Sequence, residues 1–165
     1  MKRFGGLRFA VLVFGASLTL LATGPVAGAE RVRTGVGASD IVLNRGNGEV
    51  LITMSEGTLV GRCQRCRLLI EDLPQGAPTK ITVSGGLAVV EQVDEVRARY
   101  EGSQVQFGVL SGSWRIRIVG AGVSLSVVGK NGVARIKGRG GSVSVNGGAA
   151  RAWPPGGATI KLAGG

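Results

Sequence analysis

The stretch "WRIRIVGAGVSLSVVGKNGVARIKGRGGSVSVNGG", residues 114–148, decides the fold class because its apolar and polar residues alternate. In "WRIRIV", Trp114, Ile116 and Ile118 share one side, and Arg115 and Arg117 share the other. "VSLSVV" sets Val123, Leu125 and Val127 against Ser124 and Ser126. "VARIK" sets Ala134 and Ile136 against Arg135 and Lys137, and "SVSVN" sets Val143 and Val145 against Ser144 and Asn146. A period of two is that of half-buried strands, whose successive side chains point to opposite faces.

The same pattern extends towards the N-terminus. "VQFGV" groups Val105, Phe107 and Val109, and "VRARY" sets Val96, Ala98 and Tyr100 against Arg97 and Arg99. "EVLITM", "TLVG", "RLLIE", "KITVS" and "LAVV" supply earlier strands. "VVEQVDEVRARY" reads as strand, turn, strand, because β-branched residues dominate its apolar positions. Strand centres recur about every 7 to 13 residues, the spacing of an all-β sandwich, barrel or roll. Asn47-Gly48, Asn131-Gly132 and Asn146-Gly147 tolerate the positive φ of tight hairpin turns. Pro154-Pro155 must interrupt a ladder, which leaves "ATIKL" as a last short strand.

The expected fold is therefore all-β, an antiparallel two-layer sandwich or roll of short strands with Gly-rich turns. The alternative is a parallel β-solenoid, whose glycine-punctuated rungs would give the same spacing. If the strands meander in sequence, one outward face reads Arg-Arg, Ser-Ser, Arg-Lys, Ser-Asn.

The N-terminus carries an address. Lys2, Arg3 and Arg8 precede an apolar run from Phe9 to Thr23, and Ala27-Gly28-Ala29 fits a small-residue cleavage rule. Gly24 and Pro25 interrupt the run before it reaches the length of a bilayer span. Residues 1–29 are expected to be a secretory signal cleaved after Ala29, with residues 30–165 forming one exported domain. An uncleaved membrane anchor is the other reading of this segment. A chain of about 136 residues is long enough for a continuous core.

The formal net charge is +10 over the full sequence. Its distribution is uneven. All ten acids lie between Glu30 and Glu101, beside nine bases, whereas residues 102–165 carry eight bases and no acid. A one-signed field of this kind attracts anionic partners over roughly 10 Å. Arg97/Arg99, Arg115/Arg117 and Arg135/Lys137 are each spaced by two, so each pair projects from one sheet face, and Arg139 follows. These seven residues are the candidate contacts for anionic envelope polymers or lipid headgroups. Solvated faces and protected sheet edges are the plainer account of the same charges. Sequence-specific nucleic acid binding is not expected, because residues 30–165 hold only Tyr100, Phe107, Trp114 and Trp153 for base stacking. Trp114 alternates inward as core. Trp153, beside Pro154, is expected to be partly exposed.

"GRCQRCR", residues 61–67, holds the only two cysteines, Cys63 and Cys66. The chain has no histidine, so neither a four-ligand zinc site within one chain nor a histidine-based nucleophile is available. No cofactor fingerprint or metal site is present, and the expected protein is not an enzyme. In an exported chain the default for the pair is a structural disulfide, followed by a thiol-redox or oxidative-sensing pair. Residues three apart on an unbroken strand point to opposite faces. Bonding therefore requires Gln64-Arg65 to turn or bulge.

The stretch "RIRIVGAGVSLSVVGKNGVARIKGRGGSVSVNGG" resembles glycine-rich secreted β proteins of actinobacterial type, in which alternating strands end in an "S-x-NGG" element. The resemblance implies an exported all-β fold and carries no known activity or site residues. "GTLVGRCQRCRLLIED" is similar to one rung of the polymer-forming bactofilins, which normally lack a secretory signal.

The functional expectation is an exported, non-enzymatic protein of the cell envelope or extracellular space, binding anionic polymers or surfaces through its basic C-terminal half. The alternatives are a thiol-redox protein using Cys63 and Cys66, and a self-assembling structural β-solenoid.

Overall fold

The computed structural model describes residues 40–163. The expected signal segment and its cleavage site lie outside the described residues. Seven strands follow one another: β1 (Asp40–Asp72), β2 (Lys80–Gln92), β3 (Arg97–Leu110), β4 (Trp114–Arg139), β5 (Ser142–Val145), β6 (Arg151–Ala152) and β7 (Ala158–Leu162). Every ladder between them is antiparallel. The fold is all-β and antiparallel, as the alternation predicts.

The register of β1 on β4 explains the architecture. Trp114 pairs with both Met54 and Asp72, Ile116 with Ile52 and Ile70, and Ile118 with Val50 and Leu68. Positions 18 apart in β1, as 54 and 72 are, thus flank the same residue of β4. Reciprocally, Val50 pairs with Ile118 and Ile136, again 18 apart. The two long strands form an antiparallel ribbon that winds upon itself once every 18 residues.

The winding is flattened into two layers. One layer reads, edge to edge, 86–92, 97–102, 66–72, 114–120, 48–54, 132–139 and 158–162. The other reads 80–84, 105–110, 57–63, 123–130, 40–44, 142–145 and 151–152. Each long strand therefore passes from layer to layer at a corner instead of ending. This combines a hairpin's antiparallel pairing with a solenoid's repeated spacing, which is why the sequence carries signals of both.

At each corner the inward parity of the strand changes. In β1 the buried residues are Ile41 and Leu43, then Val50, Ile52 and Met54, then Leu59 and Cys63, then Cys66, Leu68 and Ile70. Odd, even, odd and even positions take turns. Strict alternation would turn the apolar side outward after each bend, so an extra unpaired residue restores it. The corners align across the strands. Gln64 faces Gln104, Gly122 lies across from Gln64, and Arg45 lies across from Gly141. Arg45, Gln104, Gly122 and Gly141 all have positive φ, of 46°, 51°, 63° and 71°.

The core lies between the layers and holds the side chains that period-two reading assigns inward, including Trp114, Ile116, Ile118, Leu125, Val127 and Ile136. Full burial of an aliphatic side chain contributes about 1.5–3 kcal/mol relative to leaving it exposed. Two readings need correction. Val96 is exposed, because it sits in the β2–β3 turn rather than in β3. Trp153 is buried, its indole lying where a Cβ on Gly46 or Gly138 would stand. Both strands carry glycine at this closest approach, so the ring seals that corner of the core.

The Asn-Gly dipeptides divide in role. Asn146-Gly147, with φ of 51° and 64°, links β5 to β6. Asn131 has φ 51° but lies inside β4, at a corner. Asn47-Gly48 lies within β1, where the Asn47 Oδ1 accepts a hydrogen bond of 2.9 Å from the Gly122 N–H.

Candidate functional site

The two layers present different outer faces. On the first layer the outward residues include Arg97, Arg99, Arg115, Arg117, Arg135 and Lys137, all exposed or half-buried. On the second they include Ser124, Ser126 and Ser144, with Val60 and Val128 left 52% and 55% exposed. The order Arg-Arg, Ser-Ser, Arg-Lys, Ser-Asn does not describe one face. The intervening strand segments pass to the opposite layer, so the arginines gather on one side and the serines on the other.

Between the arginine-bearing segments of β4 runs β1 with its acids. Arg115 Nη1 donates to Glu71 Oε2 at 3.0 Å, and Arg117 Nε donates to Glu49 Oε1 at 2.7 Å. Arg99 pairs with Glu91 at 2.6 Å and lies 3.7 Å from Glu101, which also accepts from Arg67 at 2.6 Å. Arg97 pairs with Asp94 in the β2–β3 turn. That hydrogen bond is the main reason the Asp94 carboxyl is held below its ordinary pKa; the Val96 and Arg97 N–H groups add to the effect. All these pairs are solvent-exposed, and such pairs typically contribute about 0–1 kcal/mol each.

Four of the seven cations singled out in the sequence, Arg97, Arg99, Arg115 and Arg117, are thus matched by acids of the N-terminal half. Among the described residues, Arg135, Lys137 and Arg139 form no ion pair. Glu49 stands opposite Lys137 in the ladder, but its carboxylate is engaged by Arg117. Lys161 of β7, paired through its backbone with Val133, falls on the same outward strip one diagonal from Arg135. Its alternation within "ATIKL" is the signal that could have placed it there. A hollow of 420 Å³ lies between Arg115 and Arg135, floored by Leu51, Thr53 and Val133.

Cys63 and Cys66 form a disulfide with their Cα atoms 6.0 Å apart. Cys63 is the last inward residue of one layer and Cys66 the first of the next, so the bend at Gln64-Arg65 brings both onto the buried side. The C-x-x-C spacing follows from that corner: across a parity change, successive inward positions are three apart. Both sulfurs are buried, and Cys63 Sγ lies 3.9 Å from the Val105 carbonyl oxygen.

Among the described residues no group of three or more Cys, Asp or Glu side chains is placed to hold a metal ion. No helix among them is long and apolar enough to cross a membrane. Comparisons with protein-family models, with curated proteins and with solved structures find no match for this chain.

Proposed function

We propose that this chain is an exported, non-enzymatic β protein that docks onto anionic envelope or extracellular polymers through the strip formed by Arg135, Lys137, Arg139 and Lys161. The observation that carries the reading is that these residues have no acid partner among the described residues, while the other exposed arginines of the same face are neutralised. Guanidinium and ammonium groups on a flat sheet suit repeated carboxylates or phosphates, and neighbouring contacts add along a polymer. The burial of Cys63 and Cys66 weighs against thiol exchange, which needs an accessible thiolate, and favours a staple.

Retention of residues 30–165 on heparin, anionic liposomes and isolated cell wall across a salt series tests the proposal. Salt-sensitive retention that falls in Arg135→Ser/Lys137→Ser/Arg139→Ser, but persists in Arg97→Ser/Arg99→Ser, is expected. Equal loss in both variants would reduce the effect to net charge. No salt-sensitive retention on any of the three would reject it.

A further inference from the structure

A second polar surface lies at the corner that carries the disulfide. A groove of 530 Å³ opens there, lined by Arg45 and Arg62 with Asn47, Gln64, Gln104 and Ser124 between them. Cys63, Gln106 and Gly122 complete the wall, and no acid among the described residues lines it. Arg45 and Arg62 form no ion pair and no side-chain hydrogen bond among the described residues.

The local bonding leaves the donors of the groove available. Asn47 uses its Oδ1 to accept from Gly122 N, which leaves its amide NH₂ to donate. Ser124 uses its Oγ to accept from Arg45 N at 3.0 Å, which leaves its hydroxyl proton. Gln64 and Gln104 face each other at the break in the β1–β3 ladder, where neither has a ladder partner.

Backbone conformation points to these side chains as well. Along the corner row Gln64 bends without left-handed φ, whereas Gly85, Gly122 and Gly141 supply it with glycine. Two others keep Arg45 and Gln104 in that conformation, at φ 46° and 51°. Holding a non-glycine residue there carries a conformational cost, and such residues cluster at functional sites. Both side chains line the groove, so the costlier residue stands where its side chain faces the hollow.

We infer that this corner groove binds an anionic saccharide, with Arg45 and Arg62 holding its carboxylate or phosphate and the side-chain amides of Asn47, Gln64 and Gln104 reading its hydroxyls. Amides donate and accept, as hydroxyls do, and guanidinium forks match planar or tetrahedral anions. Among the described residues that line it there is no aromatic ring to stack on a base and no acid to hold a cation. Arg62 and Arg45 stand on segments separated by two inter-strand steps, roughly 10 Å, which spans one to two sugar units.

The inference is independent of the basic strip, and its test keeps the two apart. Heteronuclear NMR titration of residues 30–165 uses glucuronate and digalacturonate, glucose 6-phosphate, glucose, and inorganic phosphate. Shifts confined to Arg45, Gln64, Gln104 and Ser124 with the sugar acids or the sugar phosphate are expected, and which of the two binds distinguishes carboxylate from phosphate. Arg45→Gly and Gln104→Gly relieve the backbone while removing the side chains. They are expected to keep or raise Tm while weakening binding by about tenfold or more. Arg135→Ser/Lys137→Ser, on the strip, should leave these shifts unchanged. Binding of glucose or of inorganic phosphate as strong as that of the sugar anions would overturn the inference. So would unchanged binding in both glycine variants, or no binding by any probe.

Discussion

Arg117 of β4 reaches Glu49 of β1, Nε to Oε1 at 2.7 Å, although the two lie 68 positions apart in the chain. The contact exists because β1 runs on both sides of the first half of β4, so the acid-bearing half of the chain is woven between the segments of the acid-free half. A charge asymmetry that is large along the sequence is therefore much reduced in space. Among the described residues the strip at the β7 edge keeps its charge unpaired, as do Lys130 and Arg151.

Releasing the woven arginines should extend that strip. Glu49→Gln and Glu71→Gln free Arg117 and Arg115, and the double variant is expected to elute from heparin at higher salt than the parent. Stability should change by no more than about 1 kcal/mol per site, since these are exposed pairs. An unchanged elution point would show that Arg115 and Arg117 do not join the binding face.

The disulfide closes a very short loop, so its effect should be modest. Cys63→Ala/Cys66→Ala is expected to lower unfolding free energy by about 2 kcal/mol in urea, with the far-UV spectrum retained. Loss of the fold would mean that the bridge, and not the bend at Gln64-Arg65, holds the corner.

Trp153 lies against Gly46 and Gly138 with no room for a Cβ at either. Gly46→Ala is expected to displace the indole and to cost about 1–3 kcal/mol, as overpacking does. A red shift in Trp fluorescence should accompany it. Trp153→Leu in the Gly46→Ala background should recover part of the loss; no recovery would place the strain elsewhere.

Asp94 anchors the β2–β3 turn, and its Oδ1 accepts from the Arg97 N–H at 2.8 Å. Its folded pKa lies below the ordinary 3.8, chiefly through the hydrogen bond from the Arg97 side chain. A carboxyl with a depressed folded pKa contributes stability above its unfolded pKa and loses it as pH falls through the folded one. The stability difference between the parent and Asp94→Asn should thus be present at neutral pH and close in that acidic window. Carboxyl NMR titration checks the shift directly, and a midpoint at or above 3.8 would contradict it.

Much of the fold was legible in the sequence, and the limits have physical reasons. Trp114, Ile116 and Ile118 could be assigned inward from local alternation alone, because the side-chain period of a strand is a property of its own backbone. The strand ends could not. Asn131-Gly132 looks like a hairpin turn, yet it marks a corner where one strand bends into the other layer, and turn chemistry is the same in both cases. Trp153 was misplaced for a related reason. Its pocket is made by the absence of side chains at Gly46 and Gly138, which belong to distant parts of the chain.

The candidate sites divide along the same line. Sequence spacing correctly put Arg115/Arg117 and Arg135/Lys137 on outward faces, but whether a cation meets an acid depends on which strand lies beside it. The groove between Arg45 and Arg62 left no periodic signal, since it is assembled from corner residues of separate strands.

By itself, the sequence determined an all-β chain and the identity of most inward residues. Those are consequences of short-range geometry: period-two side chains and glycine at bends. Only the tertiary structure decided that the ribbon winds every 18 residues into two layers. It also decided that arginines and serines part to opposite faces and that β1 acids neutralise β4. Ladder hydrogen bonds join residues far apart in the chain, and their register sets which charges become neighbours.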